Sequence, residues 1–234
     1  MLEKDLLLTR NGHNGPPTVH SLGPLLDRAE SLLSAGGRRF LGIAGPPGAG
    51  KSTLTHWAET TLGGRHTDGS PLVGQVPMDG FHLSNEVLAE RGLRNRKGAP
   101  DTFDVDGYID LLRSIRAEPD RDHYAPSYSR ELEEPVAGAH RIPPSVRLVI
   151  SEGNYLLGGV QGWEDVREIF DEIWFVAVDP AVTRERLIAR QIAGGRSRAA
   201  AEDWVDRSDM ANTGVVNPQK DFADVIIELA PGTL

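Results

Sequence analysis

Apolar positions fall into short dense runs separated by stretches with helical spacing. Arg39–Ala44 (RFLGIA) is a compact apolar run followed by glycine. Residues 73–78 (VGQVPM) form a weaker run, while 146–151 (VRLVIS), 173–178 (IWFVAV) and 224–229 (DVIIEL) are rich in Val and Ile. Runs of this length, bounded by Gly, Pro and Asp, predict five buried strands. Between and before them, residues 22–33, 52–61 and 181–192 carry the spacing of amphipathic helices. Such alternation predicts an α/β fold with a parallel sheet covered on both faces. The stretch from Gly92 to Pro144 breaks the pattern. It is polar and rich in Pro, Asp and Arg, with one helix-like piece at 105–115 opened by Asp104 as N-cap. It reads as an insertion, about 92–144, that carries substrate contacts.

The length of 234 residues suits one large domain or one domain with insertions. No run approaches 18 apolar residues, so no membrane span is expected. The opening residues place acids early and lack a small-residue cleavage site, which points to a cytoplasmic protein. The absence of cysteine removes disulfides, Cys-ligated metals and a cysteine nucleophile from consideration. A net charge of −9 argues against a nucleic-acid partner, whose footprint is normally a basic face. Arginine far outnumbers lysine, which occurs only at positions 4, 51, 97 and 220. The four tryptophans are scattered, and core packing is expected for at least two of them.

The sharpest motif is Gly45-Pro46-Pro47-Gly48-Ala49-Gly50-Lys51-Ser52, followed by Thr53. It matches the phosphate-binding loop G-x-x-x-x-G-K-[ST] and lies between an apolar strand and an amphipathic segment. Glycines let the backbone turn tightly and aim N–H groups at phosphate oxygens, and the following helix adds its positive end. Lys51 reaches the outer phosphates of ATP, and the Ser52 hydroxyl helps hold Mg²⁺. No guanine-reading N-K-x-D is present, and Gly42 and Gly45 do not make a dinucleotide-binding G-x-G-x-x-G.

Two carboxylates follow strand-like runs. Asp79 lies in Met78-Asp79-Gly80-Phe81-His82, where strand ends face the ligand crevice. Transfer of a phosphoryl group to an alcohol needs such a carboxylate to orient the hydroxyl and take its proton. Asp-Gly is also a common turn former, and position alone does not choose between these roles. Glu152 follows the third run and suits metal support or assistance to the base; the alternative is a strand-end glutamate facing solvent. Further on, Arg184, Arg186, Arg190, Arg196 and Arg198 surround Gly194-Gly195. Arg186 and Arg190 share a helix face. The planar guanidinium fork suits phosphate oxygens, so the segment from about 184 to 210 reads as a lid, or else as a surface helix with solvated arginines.

An ordered set of motifs carries a resemblance. It runs from Asp79-Gly-Phe-His82, through Arg91-Gly-Leu-Arg-Asn-Arg96-Lys97-Gly-Ala-Pro100 to Phe103-Asp104, then Tyr124-Ala-Pro126-Ser-Tyr128-Ser-Arg130 and Glu152-Gly-Asn-Tyr155-Leu-Leu. It resembles the uridine kinase / phosphoribulokinase / type I pantothenate kinase superfamily, and within it the small bacterial nucleoside/nucleotide kinases, some described as fructose-transport-system kinases. The resemblance spans about residues 38–229. It implies a doubly wound P-loop fold with a five-stranded parallel sheet in order 2-3-1-4-5, preceded by an N-terminal helical segment at 1–37 and occupying 38–234. It implies an ATP- and Mg²⁺-dependent kinase acting on a hydroxyl of a small metabolite, with residues 45–53 on ATP. Asp79 would be the base, with Lys51, Glu152, Arg186 and Arg190 beside it in catalysis. Ser52, Asp79 and Glu152 would hold the metal. His82, Arg96, Lys97, Asp104, Tyr124, Tyr128 and Arg130 would face the acceptor. Superfamily members are often dimers or larger, so a homodimer is among the expectations. Two departures stand out: Tyr128-Ser129-Arg130 replaces the pantothenate kinases' Tyr-Ser-His, and Asp-Gly-Phe-His replaces the uridine kinases' Asp-Ser-Phe-Tyr. The acceptor's identity stays open. The rival reading is a nucleotide-dependent switch or ATPase with no small acceptor.

Overall fold

In the computed structural model, residues 15–63, 69–230 and 232–233 are described. The strands are β1 (Thr18–Val19), β2 (Arg39–Ala44), β3 (Val73–Gln75), β4 (His123–Ser129), β5 (Glu134–Ile142), β6 (Leu148–Gly153), β7 (Glu172–Val176) and β8 (Val225–Ile227). The α-helices are α1 (Gly23–Ser34), α2 (Lys51–Leu62), α3 (Asn85–Glu90), α4 (Val105–Ala117), α5 (Pro180–Ala193), α6 (Arg198–Trp204) and α7 (Met210–Val216).

The main sheet has six strands in the order β1-β8-β7-β2-β6-β3, and every pairing in it is parallel. This corrects the expected five. The added strand is β1, which pairs Thr18 with Ile226 and Val19 with Ile227. Two residues carry no periodic signal, so the sequence pattern gave no sign of it. β3 is shorter than its apolar run because the chain turns at Pro77, which has no N–H for a ladder.

Alternation along the central strands builds two cores. Phe40, Ala44, Val149, Ile173 and Phe175 face one side, packed with Tyr108 and Leu112 of α4 and with Trp163. Leu41, Ile43, Leu148, Ile150 and Trp174 face the other, packed with Leu25 and Ala29 of α1 and Leu54 and Ala58 of α2. Both faces are therefore buried, which is why these strands read as continuous apolar runs. Trp163 and Trp174 are fully buried, as core packing requires.

The stretch from Gly92 to Pro144 holds more structure than its polarity suggested. Asp104 does cap α4, accepting from the Gly107 N–H at 3.0 Å, and α4 packs into the core. After it, β4 and β5 form an antiparallel hairpin, with a register shift between Ala125 and Ser127. Proline at 126 and 135 and a mostly exposed face hid this hairpin from periodicity. No helix among the described residues is long and apolar enough to cross a membrane.

Candidate active site

Strand ends at the carboxyl edge of the sheet deliver the chemistry to one cleft of about 1870 Å³. From β2 the chain enters the phosphate loop, where Gly48 and Gly50 take φ values of 75° and 98° and α2 begins at Lys51. The Lys51 ammonium is buried and donates to the carbonyls of Gly45 and Pro46, each at 3.0 Å, and to Asn154 Oδ1 at 2.8 Å. Burial pushes its pKa down, Glu152 and Asp79 oppose that, and Arg190 and Arg130 add to the lowering. Ser52 donates its hydroxyl to Glu152 Oε1 at 2.9 Å. Burial pushes the Glu152 carboxyl up, the Asp79 charge pushes it further, and Lys51, Ser52 and Arg130 act against the rise.

Asp79 sits in a 3₁₀ turn, Met78–Phe81, that follows β3. Met78 is fully buried beneath it and packs against Gly153 at the end of β6. Gly80 lies against the Pro126 carbonyl of β4, so the hairpin rests directly on the turn. His82 donates its Nδ1–H to the Asp79 carbonyl at 2.8 Å, and its ring lies between Phe103 and Tyr128 at centroid distances of 4.1 and 4.8 Å. Burial pushes the imidazole pKa down, against the pull of Asp79, so the ring is neutral near pH 7. Burial, with Glu133 and Asp79, pushes the Tyr128 phenol up to about 12, which keeps it a hydrogen-bond donor.

Most of the residues expected in the site meet here. Pro47, Gly48, Ala49, Gly50, Lys51, Ser52, Thr53, Asp79, His82, Lys97, Tyr128, Arg130, Glu152, Arg186 and Arg190 all line the cleft. Gly45 and Pro46 contribute only the carbonyls that hold Lys51. Three residues expected at the acceptor lie elsewhere, which corrects that part of the reading. Arg96 pairs with Asp101 at 3.0 Å outside the cleft. Asp104 spends its carboxylate on the α4 cap. Tyr124 is 56% exposed on the hairpin and does not line the cleft. Lys97 reaches the cleft, but its ammonium is engaged by Asn85 Oδ1 at 2.8 Å and by the Glu133 carbonyl, and it lies over the Tyr128 ring.

The arginine-rich segment divides in two. Arg184 is tied to Asp206 at 2.7 and 2.9 Å, and Arg198 to Glu202 at 3.2 Å. Arg186, Arg190 and Arg196 face the cleft. Arg186 donates to the Gly48 carbonyl at 3.4 Å, and Arg196 stacks over Trp204. Arg190 lies 3.9 Å from Asp209, a carboxylate whose pKa burial pushes up and whose Oδ2 has no partner.

Two contributors had no role assigned from sequence. Asn154, two residues past Glu152, holds Lys51; its place at a strand end beside the phosphate loop was the available signal. His20, just after β1, joins residues 228–230 at the far end of the cleft, and only the unforeseen strand brings it there.

Hard oxygen donors fit Mg²⁺: the Ser52 hydroxyl and the Glu152 carboxylate are already bonded to each other, with the Asp79 charge close by. No set of three or more His, Cys, Asp or Glu side chains among the described residues forms a metal cage.

A parallel sheet, a phosphate loop opening α2 and carboxylates at the neighbouring strand ends define an α/β P-loop kinase fold. Residues 40–234 match the model of the phosphoribulokinase / uridine kinase family, and the chain belongs to that family. It is 34% identical over 218 residues to a Schizosaccharomyces pombe protein named "Putative uridine kinase C227.14", covering 91% of this chain and 92% of that one. It is 30% identical over 152 residues to the pantothenate kinase of Enterococcus faecalis, covering 64% of this chain and 48% of that enzyme. Among solved structures, a "putative fructose transport system kinase" from Silicibacter sp. TM1040 superposes with a TM-score of 0.80 at 34% identity, covering 89% of this chain and 99% of that one.

Proposed function

We propose that this chain transfers the γ-phosphoryl group of ATP to a hydroxyl of a small metabolite, with Mg²⁺ as cofactor. One observation carries the reading: Lys51, Ser52, Asp79 and Glu152 converge at adjacent strand ends beside the phosphate loop, in a chain of a kinase family. Asp79 orients the acceptor hydroxyl and takes its proton as the oxygen attacks the γ phosphorus. The bond from that phosphorus to the bridging oxygen breaks, and ADP leaves with the electron pair. Lys51 exchanges its carbonyl partners for phosphate oxygens. Ser52, Glu152 and Asp79 would hold Mg²⁺, which would supply positive charge against the phosphates. The segment 184–210 acts as the lid that brings Arg186 and Arg190 onto the phosphates and expels water. His82, neutral and held between two aromatic rings, and Tyr128 form the wall against which the acceptor lies.

A coupled ADP-release assay with Mg·ATP over uridine, cytidine, pantothenate, fructose and related polyols tests the proposal. Release that requires one class of acceptor supports it. Release at the same rate with every addition and with none would favour an ATPase or switch instead.

A further inference from the structure

Arg130 occupies an unusual place for a residue on the acceptor side. It stands at the end of β4, where the hairpin turns. Two contacts fix that hairpin. At its base, the Pro126 carbonyl lies against Gly80 of the Asp79 turn, so closely that any side chain at position 80 would collide with it. At its tip, Lys97 holds the Glu133 carbonyl, and the Glu134 carboxylate accepts from the Asn85 N–H at 2.9 and 3.1 Å. Glu133 is the one described non-glycine residue with positive φ, at 52°, a strained conformation that this clamp maintains. The side chain that precedes the clamped turn is thus delivered to the cleft by a rigid element rather than by a mobile lid.

Arg130 has no hydrogen-bonded or ion-paired carboxylate among the described residues, although it lines the cleft. Lys51, Arg130 and Arg190 reach that cleft from three separate elements. Lys51 donates to the Gly45 and Pro46 carbonyls and Arg190 lies 3.9 Å from Asp209. Arg130 is the one of the three whose fork is left for an anion brought into the cleft.

We infer that Arg130 is a catalytic residue that grips the γ-phosphoryl oxygens from the acceptor side, opposite Lys51. It makes and breaks no bond. Its guanidinium fork donates to oxygens whose charge changes as the phosphoryl group passes from ADP to the acceptor. Lys51 holds that group from the phosphate loop, Arg190 from α5, and Arg130 from the hairpin that rests on the Asp79 turn. The inference rests on the kinase reading above.

The test needs no knowledge of the acceptor. Binding of Mg·ADP and of the β,γ-imido analogue of Mg·ATP is measured by calorimetry on the full chain, for the unmodified protein, Arg130→Gln and Arg130→Lys. Loss of one charged hydrogen-bonding partner should weaken the imido analogue roughly tenfold to a hundredfold in Arg130→Gln. Mg·ADP should bind as before, and Arg130→Lys should recover part of the loss. Arg130 is exposed and holds no other residue, so the thermal midpoint without nucleotide should not move. Unchanged binding of both nucleotides in Arg130→Gln overturns the assignment and gives Arg130 to an anion on the acceptor. Equal weakening of both also overturns it. If the unmodified protein binds neither nucleotide, the kinase reading falls and this inference falls with it.

Discussion

Asp79 and Glu152 are each followed by glycine, and at both places a neighbouring element occupies the space where a side chain would go. A Cβ on Gly153 would lie 2.5 Å from Met78 Sδ, and Met78 directly precedes Asp79. Gly153→Ala should therefore push Met78 out of its fully buried seat. Overpacking of this kind destabilises by roughly 1–3 kcal/mol, readable in urea unfolding, and turnover should fall as Asp79 shifts. A variant as stable and active as the parent would show that the close approach is unimportant. For Asp79 itself, replacement by asparagine keeps the shape and removes the base. Turnover should drop by roughly 10²- to 10⁴-fold while affinity for ATP measured without Mg²⁺ stays nearly unchanged; parallel loss of both would make Asp79 structural. The phosphate loop was legible from its glycine and lysine spacing directly after β2, Glu152 from its place at the end of β6, and Asp79 from its place in the turn that follows β3. That Arg96, Asp104 and Lys97 are engaged within the protein was not. Their partners, Asp101, the Gly107 N–H, and Asn85 with the Glu133 carbonyl, absorb the polar groups that a motif alone offers to a substrate.

At the scale of elements, the segment 184–210 separates arginines that look alike in sequence. Arg184 and Arg190 lie on the same helix, yet Arg184 is saturated by Asp206 while Arg190 faces the cleft. Arg190→Gln should lower turnover by roughly 10²- to 10³-fold if it stabilises charge on the phosphoryl group in flight. Arg184→Gln removes a solvent-screened ion pair and should leave turnover close to that of the parent. Equal losses in steady-state kinetics would dissolve the distinction. Elements with apolar faces were readable: the central strands and α1, α2, α4 and α5 all bury a continuous surface. The β4–β5 hairpin was not, because it packs against the Asp79 turn and solvent instead of a core, and its strands tolerate proline.

For the molecule as a whole, Asp171 ties the sheet to its covering helix. Its carboxylate accepts from the Phe40 N–H at 2.8 Å, from Arg39 at 2.9 Å and from Arg116 of α4 at 3.0 Å. Burial pushes its pKa up, but the bonds from Phe40, Arg116 and Arg39 outweigh that and hold the carboxyl below its ordinary range. A group held low in this way stabilises the fold fully above the unfolded value, and that contribution disappears as pH falls through the folded one. Asp171→Asn should cost about 2 kcal/mol at neutral pH, and the gap from the parent should narrow in acid. A gap of constant size in urea unfolding at both pH values would contradict this. The two-faced core was legible from alternation, but the outermost strand was not, and that strand has a consequence in time. Thr18 pairs with Ile226, and His20 bonds to the Glu228 carbonyl at a sequence separation of 208 residues. Synthesis runs in one direction, so β1 leaves the ribosome before its partner, which follows 208 residues later. A nascent chain carrying everything through α5 would own a complete phosphate loop and both carboxylates, Asp79 and Glu152, beside it. It would still lack the far wall of the nucleotide cleft and leave the β7 edge open to pairing with other chains.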